Sequence, residues 1–184
     1  MDAWVHYNEM LSEIEKRNQR VRATFHYEAT KSLEDFLKEA SDLKINFETN
    51  APMQATYSNE NAFSILNDYN DTVKALRGRW NKMIYGFDMF EISYTSPADL
   101  DHVDKEIKNL EKIWGLKQDW DQKYERDIKS IPFKSINWED LEELAEDYIF
   151  QLNSLSKEPH IKKWGIVMAF KGSIDNFKNV LPLI

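Results

Sequence analysis

The first quarter of the chain carries apolar residues at helical spacing. From Ala3 to about Phe47 neither proline nor glycine occurs, and apolar residues recur at intervals of three, four or their sums. They are Trp4, Leu11, Ile14, Val21, Phe25, Leu33, Phe36, Ala40, Leu43 and Phe47. The pattern predicts one long helix with these residues facing inward. At a rise of about 1.5 Å per residue it would be about 65 Å long, so we expect an elongated molecule.

A second helix is expected after a connection at residues 48–57, which contains Pro52. Ser58 is its predicted N-cap. Its predicted inward positions are Phe63, Leu66, Tyr69, Val73, Leu76, Trp80, Met83, Phe87 and Phe90. Gly78 and Gly86 lie within it, and each costs about 1 kcal/mol relative to alanine unless a neighbouring helix needs a close approach. We therefore expect packing or kink points at both glycines.

A third helix is expected after the break at residues 94–97, with Ser96 as N-cap and Pro97 in its first turn. The run Ile131-Pro132-Phe133 should end it, because the residue before a proline avoids helical geometry. The predicted inward positions are Leu100, Val103, Ile107, Leu110, Trp114, Trp120 or its neighbour Leu116, Tyr124 and Ile128.

Two further helices complete the pattern. Asn137 should cap the fourth, and Pro159 and Pro182 should open and close the fifth. The inward positions are Leu141, Leu144, Tyr148, Leu152 and Leu155 in the fourth helix, and Ile161, Trp164, Met168, Ile174, Phe177 and Leu181 in the fifth. The sequence thus predicts an all-α protein of elongated antiparallel helical bundles with about five long helices. We expect a helical hairpin at 1–95 and a second bundle at 96–184.

Composition narrows the functional classes. The 184 residues are 42% hydrophobic, enough for a core, and carry a net charge of −8, which argues against nucleic-acid or membrane partners. The absence of cysteine excludes disulfides and thiolate metal sites and fits a reducing compartment. No apolar run approaches the roughly 18 residues of a spanning helix. We expect a soluble, unexported chain in the cytoplasm or a cilium.

The residue patterns of known chemistry are largely missing. The chain has neither a phosphate-binding Gly-Lys-Ser/Thr loop nor a Gly-x-Gly-x-x-Gly motif. Its four histidines, His6, His26, His102 and His160, are scattered, and only Asp99 with His102 approaches the acid-x-x-His spacing of a di-metal bundle. We therefore predict no catalytic, cofactor-binding or metal-ligating residues, and a metal-dependent helical enzyme remains the enzymatic alternative.

Basic and aromatic residues invite binding hypotheses, for which simpler explanations exist. The basic run comprises Lys16, Arg17, Arg20 and Arg22, and because it alternates with glutamates at helical spacing we predict a solvated, salt-bridged face. Trp80, Trp114 and Trp164 lie on inward stripes and should be core residues. Trp4 and Trp138 begin helices, where an exposed aromatic could anchor an interface.

Dispersed landmarks in the second half resemble a known family. They are Leu110-Glu-Lys-Ile-Trp114, Trp120, Ile131-Pro132-Phe133, Trp164-Gly-Ile-Val and Phe177-Lys-Asn-Val-Leu181-Pro182-Leu183-Ile184. Their order and spacing resemble the second N-terminal region of dynein heavy chains. Upstream, the segments 47–52 and 80–87 are similar to the preceding tail, although many members have Gly-Pro where this chain has Ala51-Pro52. The resemblance extends from about Phe36 onward, and the Leu-Pro-Leu-Ile ending favours an axonemal heavy chain.

The resemblance implies a fragment of a larger motor. In that family the ATP sites lie in ring modules downstream, the linker swings to produce the power stroke, and the tail anchors cargo or a doublet microtubule. The chain would be a non-catalytic, cofactor-free segment of the cytoskeleton, in a cilium or flagellum axoneme, with 1–95 in the tail and 96–184 leading into the linker. The family-like structural positions are Trp114, Trp120, Pro132, Phe133, Trp164, Phe177, Leu181 and Pro182.

The implied partners are the rest of the heavy chain and other dynein heavy, intermediate and light chains, with neither nucleic acid nor membrane. A free-standing, spectrin-like helical interaction scaffold is the alternative from the residues alone.

Overall fold

The computed structural model describes residues 2–130 and 137–181. Its five α-helices are α1 (Asp2–Asn50), α2 (Asn59–Met89), α3 (Ala98–Lys123), α4 (Trp138–Leu155) and α5 (Gly165–Val180). A π-helical turn, Tyr124–Ile128, extends α3, and a 3-10 turn, Ile161–Lys163, precedes α5. These two stretches contain no strand, which confirms the predicted all-α bundle. None of their helices combines the length and apolar character needed to cross a bilayer.

The second half of α1 packs on α2 as an antiparallel hairpin. Phe36 stacks on Trp80 with ring centroids 5.3 Å apart, and Arg79 binds Glu39 through two contacts of 2.7 and 2.9 Å. Ser58 caps α2 by accepting from the Asn61 amide at 3.2 Å, as predicted. The hairpin forms because both helices present apolar stripes, and stacking aromatics fix their register.

The first half of α1 is an exposed helix, contrary to the prediction. Trp4 is 70% and Val21 58% exposed, and Leu11 and Ile14 are exposed as well, so their inward assignment is wrong. α1 has 49 residues and α2 only 31. α2 therefore ends near Phe25 of α1, on which Phe90 stacks, and the part of α1 before Phe25 extends beyond it. Helical periodicity identifies an apolar face, but burial also requires a neighbour, and the described residues supply none there.

Glycine positions in α2 do not mark close helix contacts. A Cβ atom at Gly78 would meet nothing within 4 Å, and one at Gly86 would lie 3.7 Å from the Phe25 ring, an ordinary contact. The helix runs through both positions without interruption. The close helix approach expected at both glycines is therefore wrong, while a kink at either position stays a prediction.

α3 lies against both α1 and α2 and completes the first core. Its face is almost fully buried; the residues are Leu100, Val103, Ile107, Leu110, Ile113 and Trp114. Lys44 of α1 binds Asp99 at 2.9 Å, and Arg77 of α2 binds Asp101 at 2.6 Å, at the start of α3. Ser96 does not cap the helix, because its hydroxyl donates to Asp101 at 2.8 Å and Pro97 occupies the cap position.

α4 and α5 form a second antiparallel pair on the far end of α3. Asn137 caps α4 by accepting from the Glu139 amide at 3.2 Å, as predicted. The fifth helix begins at Gly165 and not at Pro159, since Trp164 holds extended backbone with ψ 132°. This break shifts the helical register, so Met168 is 58% exposed instead of buried. The buried residues of α5 are Ile166, Val167, Phe170 and Ile174.

Candidate functional site

The most specific polar contact in the core joins α3 to the connection between α1 and α2. Trp114 is fully buried, and its indole Nε1 donates to the Pro52 carbonyl at 2.8 Å. A buried indole needs such an acceptor, and a carbonyl in an irregular segment needs a donor. The Trp114 side chain therefore fills the core and also fixes the backbone of the connection at Pro52.

The same connection receives the start of α5. The amide of Ile166 donates to the Met53 carbonyl at 2.9 Å, and Trp164 beside it is 7% exposed. A Cβ atom at position 165 would lie 2.1 Å from the Gln54 amide oxygen, so glycine permits this close approach. Residues 51–54, Trp114 and residues 164–166 thus form one junction where the two helical pairs meet α3.

A cluster of aromatic side chains, called the second cluster below, lies at the end of α3. Trp120 contacts Tyr148 of α4 and Phe177 of α5 edge to face, with centroids 5.1 and 5.4 Å away. The Tyr148 hydroxyl donates to Asp119. Burial and this bond raise the pKa of Tyr148, which keeps the phenol neutral and able to donate. The cluster fixes α3 against both helices of the second pair.

An apolar cleft of about 630 Å³ adjoins that cluster. Trp120, Tyr124, Phe177 and Leu181 are among its lining residues. Three charged residues also line it: Glu125 and Lys129 bind each other at 2.9 Å, and Asp121 binds Lys117. Most of the residues that line the cleft are apolar or aromatic.

A polar cluster lies where α3 faces the connection between α4 and α5. His160 Nε2 lies 3.1 Å from Glu106 Oε1, and His160 Nδ1 lies 3.6 Å from Glu158. Lys105 binds Glu158 at 2.7 Å. This hydrogen bond lowers the pKa of the Glu158 carboxyl and raises that of the Lys105 ammonium. Sequence reasoning missed this cluster, although Glu106 stands three residues after Val103 and four before Leu110, on the inward stripe.

The predicted structural positions are divided between these features. Trp114 and Trp164 lie in the junction, as core residues, and Trp80 is also core, which confirms the burial predicted for all three. Trp120, Phe177 and Leu181 lie at the second cluster and its cleft. The remaining positions, Pro132, Phe133 and Pro182, lie outside the described residues.

Other candidate residues lie outside the junction and outside the cluster around Trp120. Trp4 and Trp138 are exposed, at 70% and 53%. Asp99 pairs with Lys44, while His102 lies 3.8 Å from Glu48. The basic run at 16–22 is exposed, as predicted, but among the described residues it makes no ion pair, so the expected salt bridges are wrong. A helical i,i+4 spacing permits such bridges on an exposed face without fixing the long side chains in them.

The family model and the relatives reported below all carry dynein heavy chain descriptions. Residues 100–184 match the family model "Dynein heavy chain, N-terminal region 2". The chain is 28% identical over 182 residues to the Dynein-1-beta heavy chain of the flagellar inner arm I1 complex from Chlamydomonas reinhardtii. It is 24% identical over 181 residues to dynein axonemal heavy chain 2 from Mus musculus. These alignments cover 99% and 98% of this chain but only 4% of each relative.

The family match begins at α3, and both alignments run through α1 and α2 as well. The matched region thus contains α3 with the whole of the second helical pair, and the relatives extend the likeness to the first. Residues 100–184 are therefore similar to the second N-terminal region of dynein heavy chains, and nearly the whole chain is similar in sequence to axonemal and flagellar dynein heavy chains.

Proposed function

We propose that the chain is a non-catalytic structural segment of a microtubule motor heavy chain, linking its tail to the force-generating linker and ring. The observation that carries this proposal is the role of α3. Trp114 ties α3 to the first helical pair and Trp120 ties it to the second, so one helix is buried against both. The similarity to dynein heavy chains also supports the proposal, because it indicates the kind of motor to which such a segment would belong.

Close packing explains how the segment would transmit displacement. Bending α3 relative to either pair would open voids beside residues that are almost fully buried, and protein interiors resist such voids. At the junction, bending would also break the hydrogen bonds to Pro52 and Met53. The bundle is therefore suited to pass a movement from one end of α3 to the other.

The proposed setting is a cilium or flagellum axoneme. Two relatives carry the words "axonemal" and "flagellar" in their names. The partners would be the rest of the heavy chain and other heavy, intermediate and light chains of the complex. The motor activity itself is assigned to the remainder of the heavy chain.

The proposal predicts a separation of ATP turnover from movement in the full heavy chain. Trp114→Ala should loosen the junction, because it removes a buried side chain and its bond to Pro52. Microtubule gliding velocity should fall while ATP turnover by the same motor is retained. Both quantities are measured on one preparation, with gliding assays and phosphate release.

Trp138→Ala is the matched control, since Trp138 is 53% exposed, and it should leave both quantities unchanged. Unchanged gliding in Trp114→Ala would argue against a mechanical role. A proportional loss of ATP turnover would argue against a segment separate from the chemistry.

The alternative, a free-standing scaffold, predicts a different coding sequence after Ile184. A motor segment requires linker and phosphate-binding ring modules encoded after Ile184, whereas a spectrin-like scaffold does not. Sequencing the transcript beyond that codon distinguishes the two.

A further inference from the structure

We propose that Glu106, Glu158 and His160 form a binding site for one divalent cation of the Zn²⁺ type, which ties α3 to the connection between α4 and α5. One ligand atom from each of the three residues lies within 4.8 Å of the others. Glu106 belongs to α3, and Glu158 and His160 belong to that connection. A bound ion would therefore join two parts of the fold that are distant in sequence.

The buried carboxylate is the first reason to expect a cation here. Glu106 is only 2% exposed and stands between core residues on the inward face of α3. A buried carboxylate is unfavourable unless it is fully paired. His160 contacts Oε1, but Oε2 is buried and has no hydrogen-bond partner among the residues described. The buried carboxylate is therefore only partly paired, and a cation bound to it would offset its remaining negative charge.

The spacing of the ligand atoms fits a small metal ion. In a tetrahedral site with bonds of 2.0–2.1 Å, ligand atoms stand about 3.3 Å apart. The Glu106 Oε1 to His160 Nε2 distance is 3.1 Å. The Trp164 ring lies beside the imidazole, with the two ring centroids 6.0 Å apart. Two ligands are thus already near a metal-binding arrangement.

Glu158 lies 3.6 Å from the other imidazole nitrogen, Nδ1, and would turn toward the ion to supply the third ligand from the solvent side. Its side chain is 42% exposed and is held by Lys105, which is itself 58% exposed. Ion pairs this exposed contribute little, so Glu158 can exchange Lys105 for a cation. A water molecule would fill a fourth position, as at zinc sites with three protein ligands.

The ligand set selects the cation. One imidazole nitrogen with two carboxylate oxygens suits Zn²⁺, whereas Mg²⁺ and Ca²⁺ prefer oxygen ligands alone. The charge also balances, because two carboxylates beside a neutral imidazole match a divalent ion. We therefore expect Zn²⁺ to bind in preference to Mg²⁺.

Calorimetric titration of the chelator-treated chain with ZnCl₂ tests the proposal. We expect one saturable binding event per chain, and a rise in Tm of about 5–10 °C at about 100 times the dissociation constant. Glu106→Gln and His160→Gln should each weaken binding at least about tenfold. MgCl₂ should give no comparable event.

Matched variants away from the cluster serve as controls. Glu111→Gln on α3 and His26→Gln on α1 remove the same chemical groups and should bind as the parent chain does. Circular dichroism shows whether each variant is folded. Glu158→Gln changes an exposed ligand, so it should weaken zinc binding without disturbing the core. The absence of a zinc event in the parent chain would overturn the proposal. Equal affinity in the folded cluster variants would also overturn it.

Discussion

Trp114→Ala is expected to lower the free energy of unfolding of the chain by about 5 kcal/mol. Removing a fully buried tryptophan costs about 3–5 kcal/mol through lost burial and the cavity that remains. The Pro52 carbonyl then loses its donor inside the core, which adds to the loss. Urea unfolding followed by circular dichroism measures the change.

Trp114→Phe separates the two contributions. Phenylalanine keeps much of the apolar volume but cannot donate to Pro52, so we expect a loss intermediate between those of the parent and the alanine variant. The exposed Trp138 supplies the control, and Trp138→Ala should change stability by no more than about 0.5 kcal/mol. A similar small change for Trp114→Ala would contradict the junction described here.

Trp120→Ala should lower the free energy of unfolding by about 3–4 kcal/mol, the next largest effect. The side chain is 3% exposed and contacts both Tyr148 and Phe177. The loss should lie toward the lower end of the usual range, because the adjoining cleft gives Phe177 room to move into the vacated space.

The two variants should also differ in which contacts they loosen. The NMR chemical shifts of backbone amides in Trp120→Ala should change mainly in α4 and α5, whereas Trp114→Ala should affect residues 51–54 as well. If Trp120→Ala shifted the amide signals of the α1–α2 hairpin as much as those of α4 and α5, the assignment of Trp120 to the second pair would be wrong.

Helical periodicity predicted the existence of all five helices but not which parts of each helix are buried by neighbouring helices. The stripe of α1 continues through Trp4 and Val21 at the same spacing as Phe36 and Phe47, yet only the latter two are buried. Spacing reports which face of a helix is apolar. The length of the partner helix, which decides burial, is a tertiary property.

Local capping chemistry was predictable where one side chain decided it. Ser58 and Asn137 each accept a backbone amide at the start of a helix, as expected from their identity. Ser96 had an alternative partner, the Asp101 carboxylate, which no local rule reveals. Pro159 likewise suggested a helix start, but the docking of Gly165 on Gln54 and of Ile166 on Met53 fixes the start of α5 later.

The tryptophans of the junction were predicted as core, but their partners were not. The sequence places Trp114 on an inward stripe, while its acceptor, the Pro52 carbonyl, lies 62 residues earlier. Glu106 was overlooked because its significance depends on burial and on His160, 54 residues later. Such pairings arise from the assembled fold, and single-sequence periodicity carries no direct signal for them.

Amide hydrogen exchange under native conditions tests most directly whether α3 unites both helical pairs into one mechanical unit. We predict that the slowest amides of α1 after Ala29, of α3 and of α5 exchange with the same free energy of opening, equal to that of global unfolding, while residues 4–22 exchange rapidly. A free energy of opening for α4 and α5 well below that of the α1–α2 hairpin would contradict the account.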